Sequence, residues 1–226
     1  MSMYPHSETE VQLIKRIEHY VHALFNMDVT GHDFFHMRRV AHMSREIAVI
    51  EQADVFICEV GGWLHDIGDG KLFVNSKSAR YDLKLFLQSI GLTGDKIQLI
   101  ENAIEAISFQ KGKIPKTVEG KIIQDADRLD ALGAIGIARI FAYGGANDQA
   151  IHSDVNDQQT SIQHFHDKLL KLKQTLHTRT AQSLAHERHV FMERFLKQFL
   201  TEWGANNTPL RLKEAANIVY SISTHY

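Results

Sequence analysis

Cysteine is almost missing from this chain of 226 residues. The one thiol, Cys58, excludes an intramolecular disulfide and any cysteine-rich zinc site. Its place in the apolar run 55–60 reads as a buried structural residue. Excess charge of either sign is missing too. Lys+Arg 25 against Asp+Glu 27 leaves a net charge of -2, with no global pull toward nucleic acid or membrane. An anionic substrate would have to be held by local cations or by a metal. No segment approaches the apolar length of a bilayer span. Residues 1–10 are acidic and lack the apolar stretch of a signal peptide. The expectation is a cytoplasmic protein with no membrane and no polymeric nucleic acid among its partners. The length allows one substantial domain, or one domain with a helical annex.

What the chain has in quantity is histidine, fourteen residues placed unevenly. His32, His36, His42 and His65 fall in one third of the chain, and the next is His152. Around them the hydrophobic pattern is helical. Val11, Ile14, Ile17, Val21, Leu24 and Phe25 mark one buried face over 8–26. Asp33 can cap a second helix from Phe34 to about Ile50, and Asp54 a third running through His65 and Asp66 to Gly68. Two more are expected over 78–90 and 94–107. After a loop at 111–115, Thr117 starts a helix through Asp130 toward Ile140, and the chain breaks again from Tyr143 to Asp148. A polar loop over 150–159 precedes a helical stretch to Trp203, interrupted near 177–180, and a last helix follows Pro209. Nothing reads as a strand, and no internal repeat is visible. The expected fold is all-α: a helical core over 1–150, with a C-terminal helical extension over 151–226 packed on it.

Four side chains carry a chemical implication. His36 lies in the first turn of the second helix, and the His65-Asp66 doublet closes the third. Asp127 lies inside a later helix, among Ile122, Ile123, Leu129 and Leu132. Two neutral imidazoles and two carboxylates leave a divalent ion near zero net charge. Octahedral Mn2+ or Mg2+ then keeps two positions for water or substrate, whereas tetrahedral Zn2+ is filled. Asp125 and Asp130 are the rivals of Asp127. Asp130, three residues on, shares nearly the same helical face and suits a role behind the ligands. His32, one turn before His36, can line the pocket, and Arg39 suits a brace to an acidic residue. His164 and His166 point to different faces of a helix, which argues against a second metal site and for surface or packing roles. Phe191, Phe195 and Phe199 read as core or helix-pairing surface.

In these settings the four residues resemble the HD-domain metal-dependent phosphohydrolases, an all-helical family patterned as His, then His-Asp, then Asp. His36 precedes Arg39-Val40, the doublet lies in 64–68, and Asp127 precedes Arg128-Leu129. The core resemblance spans roughly residues 20 to 142. Beyond it, the strings at 164–170 and 188–192 resemble a small bacterial subgroup assigned as nucleotide pyrophosphohydrolases. Dinuclear members recruit extra histidines between the doublet and the last Asp. This chain has none from 67 to 151, so the resemblance implies one divalent ion and disfavours the two-iron oxygenase branch. It also implies that Asp69 orients or deprotonates the attacking water, with Lys71 beside it at the phosphate tail. Lys111 and Lys113, in a loop, and Arg128 are further substrate-binding candidates, as is Lys168, carried over from the subgroup string. The expected activity is cleavage of a phosphoanhydride in a small nucleotide, by a chain that can form a homodimer. The alternatives are a phosphomonoesterase of the 5′-nucleotidase kind, an alarmone hydrolase, or a non-catalytic nucleotide-binding module.

Overall fold

Short polar side chains set where the helices begin. Ser7, Asp33, Asp54, Asn75, Thr93, Thr117, Thr160 and Thr178 each accept a bond from the backbone amide three residues on, which satisfies a donor the helix itself leaves open. The computed structural model describes residues 6–28, 31–105, 107, 114–154 and 159–204. The expected Lys111 and Lys113 loop and the helix after Pro209 lie outside the described residues. The helices are α1 (Glu8–Phe25), α2 (Phe34–Glu51), α3 (Val55–Leu64), α4 (Ser76–Ser89), α5 (Gly94–Ile104), α6 (Val118–Asp130) and α7 (Gly133–Ala146). Short α8 (Ser161–His164) passes through a wide π-type turn, Phe165–Leu169, into α9 (Leu170–Leu172), and α10 (Arg179–Trp203) follows. Among the described residues there is no strand, so the fold is all-α.

Three expectations about helix ends are corrected. The third helix stops at Leu64, and His65-Asp66 lie in the turn that follows, which closes at Gly68 with a left-handed φ of +81°. The helix from Thr117 does not run on toward Ile140. It ends at Asp130, Gly133 takes φ +76°, and α7 departs at 70°. The break expected from Tyr143 to Asp148 comes late in that window, because Gly144 and Gly145 stay helical and α7 ends at Ala146. Gly144 meets Ser161, and a Cβ there would collide with the hydroxyl.

At the centre is α3, buried from Phe56 through Leu64, as an apolar helix must be. One apolar cluster joins α1, α2, α3, α4 and α5 around Ile17, Met37, Trp63, Leu87 and Ile100. A second joins α2, α3, α6 and α7 to the C-terminal helices through Val40, Cys58, Ile122, Phe165 and Met192. Phe195 and Phe199 pack with Phe141, while Phe191 is exposed, contrary to its expected place in that row. Two close contacts of α3 with its neighbours fall on consecutive glycines. A Cβ on Gly61 would collide with the Ile123 side chain of α6, and one on Gly62 would lie 2.6 Å from Ala41 Cα of α2. No single helix among the described residues is long and apolar enough to cross a membrane.

Candidate metal centre

The three helices that meet at those glycines bring the four predicted ligands together. His36 is the third residue of α2, and its amide is held by the Asp33 cap at 2.7 Å. His65 follows α3 directly, with Nδ1 2.8 Å from the Gly62 carbonyl. Asp127 lies in the last turn of α6. His36 Nε2 is 3.7 Å from Asp66 Oδ2 and 3.6 Å from Asp127 Oδ1. His65 Nε2 is 3.4 Å from Asp66 Oδ1 and 3.7 Å from Asp127 Oδ1. Both Nε2 atoms are buried and make no hydrogen bond. Buried polar atoms are nearly always satisfied, and two orphaned imidazole nitrogens facing two carboxylates are the donor set of a divalent cation. The residues fit the ion.

Behind the ligands stands Asp130. Its Oδ2 is 2.7 Å from His36 Nδ1, which leaves Nε2 as the ligand atom. Arg39 donates Nε to Asp130 Oδ1 at 2.6 Å and its NH2 group to Oδ2 at 3.0 Å, so Arg39 is the expected brace. Burial pushes the Asp130 carboxyl up, but His36, Arg39 and Arg139 outweigh it and hold the group well below the usual carboxylate range. Asp66 follows the same logic. Burial raises it, but the His65 charge, the His32 bond and His36 outweigh burial and hold it below the usual carboxylate range. Burial and Arg139 depress His36, whereas for His65 the neighbouring Asp66 and Asp127 overcome burial and raise it.

Arg139 escaped the sequence reading. Its NH1 group donates to Asp130 Oδ2 at 2.8 Å. The available signal was that it is the one charged residue of α7. His32, expected at the substrate, has Nδ1 2.8 Å from Asp66 Oδ2. Asp69 lies in the turn after the doublet, where its Oδ1 accepts the Lys71 amide at 2.9 Å, and the Lys71 side chain is exposed. Lys168 is brought in from the π-type turn. Burial lowers its ammonium, with Asp127 opposing and Lys71 and Arg139 adding to the effect. His164 is half-buried beside Lys168 and Lys71, not a bare surface residue, and burial and those lysines lower it. Neither His164 nor His166 belongs to a ligand cluster among the described residues. Arg128, expected on the substrate, is engaged elsewhere. Its NH1 group donates to the Thr175 carbonyl and lies 3.3 Å from His177 Nε2, tying α6 to the turn before α10.

An all-helical core that gathers two imidazoles and two carboxylates at one point defines a metal-dependent hydrolase. Comparison with known proteins places it further. The HD domain family matches residues 33–132. YpgQ of Bacillus subtilis (strain 168), an uncharacterised protein, is 38% identical over 196 residues, covering 84% of this chain and 93% of its own. The crystal structure of YpgQ in complex with ADP superposes with a TM-score of 0.71 at 34% identity, covering 84% of this chain and 97% of that one. An HD-superfamily hydrolase from Bacillus thuringiensis gives 0.72 at 35%, covering 87% and 99%. The chain belongs to the HD-domain family of metal-dependent phosphohydrolases.

Proposed function

We propose that this chain is a nucleotide pyrophosphohydrolase, cleaving a phosphoanhydride bond of a small nucleotide with water at a single divalent ion, Mn2+ or Mg2+. The observation that carries the reading is the pair of buried, unpartnered Nε2 atoms of His36 and His65 facing Asp66 and Asp127. The ADP complex of the YpgQ relative favours a nucleotide with an anhydride over a monoester. His36, His65, Asp66 and Asp127 hold the ion, whose charge acidifies water and neutralises a phosphoryl oxygen when bound. Phosphoryl transfer otherwise asks for positioning and electrostatic stabilisation. Asp69 receives or orients the proton of the attacking water. Lys168 lies near both Asp127 and Lys71, and the two lysines, from separate parts of the chain, supply the local positive charge that a protein of net charge -2 lacks globally. Lys111 and Lys113 are proposed to join them.

The test is a product analysis on nucleoside mono-, di- and triphosphates with added Mn2+. Anhydride cleavage is expected, with Asp66→Ala losing both metal and turnover and Asp69→Ala keeping metal but losing rate. Cleavage of monophosphates alone would make the chain a phosphomonoesterase. A bound metal with no turnover of any nucleotide would make it a binding module.

A further inference from the structure

His32 lies in the turn between α1 and α2, one helical turn ahead of His36, with its side chain one-third exposed at 33%. Its bond to Asp66 reaches from the start of α2 across to the turn after α3. The two oxygens of Asp66 have different neighbours. Oδ1 is 3.4 Å from His65 Nε2, while Oδ2 is 2.8 Å from His32 Nδ1 and 3.7 Å from His36 Nε2. Converging ligand atoms fall into two sets among the described residues, one of His36, His65 and Asp127 and one of His32, His36 and Asp66. Asp66 is thus grouped with His32, and the bond between them bears on where this fourth ligand stands.

Two electronegative atoms at 2.8 Å need a proton between them. An ionised carboxylate only accepts, so the proton sits on Nδ1 and His32 is the donor. The turn that carries the ring is itself held. Gly31 adopts φ +95°, where a side chain is strained, and an ideal Cβ there would lie 3.3 Å from Arg139 Nε. Arg139 in turn donates to Asp130, the carboxylate behind His36. One guanidinium therefore braces both histidines at the head of α2.

We infer that His32 is a positioning residue of the metal centre: its Nδ1–H fixes the Asp66 carboxylate, so that the ion meets a set oxygen, and His32 itself is not a ligand. This rests on the metal-centre reading, and the test separates the two. Mn2+ binding is measured by calorimetry on the purified full chain. Removing the partner of a ligand weakens metal binding about 10–100-fold, so His32→Ala is expected to bind at least about tenfold more weakly than wild type. Asparagine places an amide nitrogen near the Nδ1 position, and glutamine places one near Nε2. His32→Asn is therefore expected to recover most of the affinity, and His32→Gln to behave as the alanine variant does. Melting temperatures in chelator should be equal for all four proteins. Wild-type affinity in His32→Ala overturns the inference, as does rescue by glutamine in place of asparagine, or no rescue by either. A wild-type chain that binds no Mn2+ removes the metal centre itself, and the role of His32 with it.

Discussion

Replacing Gly62 with alanine tests whether the approach of α2 to α3 sets the metal centre. The added Cβ would lie 2.6 Å from Ala41 Cα, 2.9 Å from Ala41 N and 3.1 Å from Ser44 Oγ. The first two are backbone atoms and cannot rotate aside. Packed carbons sit about 3.5–4.0 Å apart, so the two helices must part by roughly 1 Å. Overpacking of this kind costs about 1–3 kcal/mol. At about 2–4 °C per kcal/mol for a chain of this size, the melting temperature falls by roughly 2–12 °C. The effect on the site is sharper. His36 rides on α2, and His65 follows α3 with its ring tied to the Gly62 carbonyl, while metal–ligand distances hold within about 0.2 Å. A displacement of roughly 1 Å therefore exceeds what the ligand set tolerates, and Mn2+ affinity should drop by at least about tenfold. Calorimetry with Mn2+ and thermal melting in chelator measure the two effects. Gly94→Ala is the control, since that glycine opens α5 with nothing within 4 Å of its Cβ position. A Gly62→Ala protein that melts lower yet binds Mn2+ as the wild type does would refute the link between helix approach and ligand geometry.

The C-terminal helices should depend on one carboxylate. Asp125 is fully buried and accepts from the His177 amide at 2.9 Å, and from the Thr178 amide and hydroxyl, each at 2.8 Å. Asp125→Ala orphans three donors at about 1–3 kcal/mol each, so urea unfolding should show a loss of at least about 3 kcal/mol, and a loss below about 1 kcal/mol contradicts the tie. Cys58 lies at 0% exposure, and burial, with Glu119 and Asp54 adding, pushes its thiol far above the usual range. A thiol reagent at neutral pH should therefore leave the native protein untouched and modify one thiol in denaturant; modification of the native chain within minutes would show that the site opens.

Helix starts were legible because caps are local. Asp33, Asp54 and Thr117 each precede an apolar periodic run, and each accepts from the amide that the pattern implied. Helix ends were harder, because tertiary contacts decide them. The apolar run through Trp63, Leu64 and Ile67 offers no stop before Gly68, yet α3 ends where the His65 ring turns back onto Gly62. The bend between α6 and α7 hid in an apolar stretch with no proline, where Gly133 alone signalled it. Conversely, the break expected from Tyr143 begins only after Ala146, because Gly144 stays helical and its missing side chain makes room for Ser161. In that case packing overrode propensity.

The ligand types could be read from the chain, since an imidazole and a carboxylate side by side restrict the chemistry. What allows four such groups to meet could not be read, because it depends on contacts between residues far apart in sequence. Gly61 and Gly62 are poor helix formers within an otherwise apolar run, which alone would count only as a cost of about 1 kcal/mol each. Their use emerges against Ile123 of α6 and Ala41 of α2, the helices that deliver Asp127 and His36. With any larger side chain at Gly62, which faces the Ala41 backbone, the doublet that follows α3 would stand farther from His36. His32 and Arg139 belong to the same level of organisation. One grips Asp66 and the other grips Asp130 while packing on the turn that carries His32. Neither is in the set of His36, His65 and Asp127, but both hold groups that touch it. Substitutions at Gly62 and His32 should therefore lower metal affinity by different routes, one through helix separation and one through a lost hydrogen bond. Only the first should also lower the melting temperature of the metal-free protein.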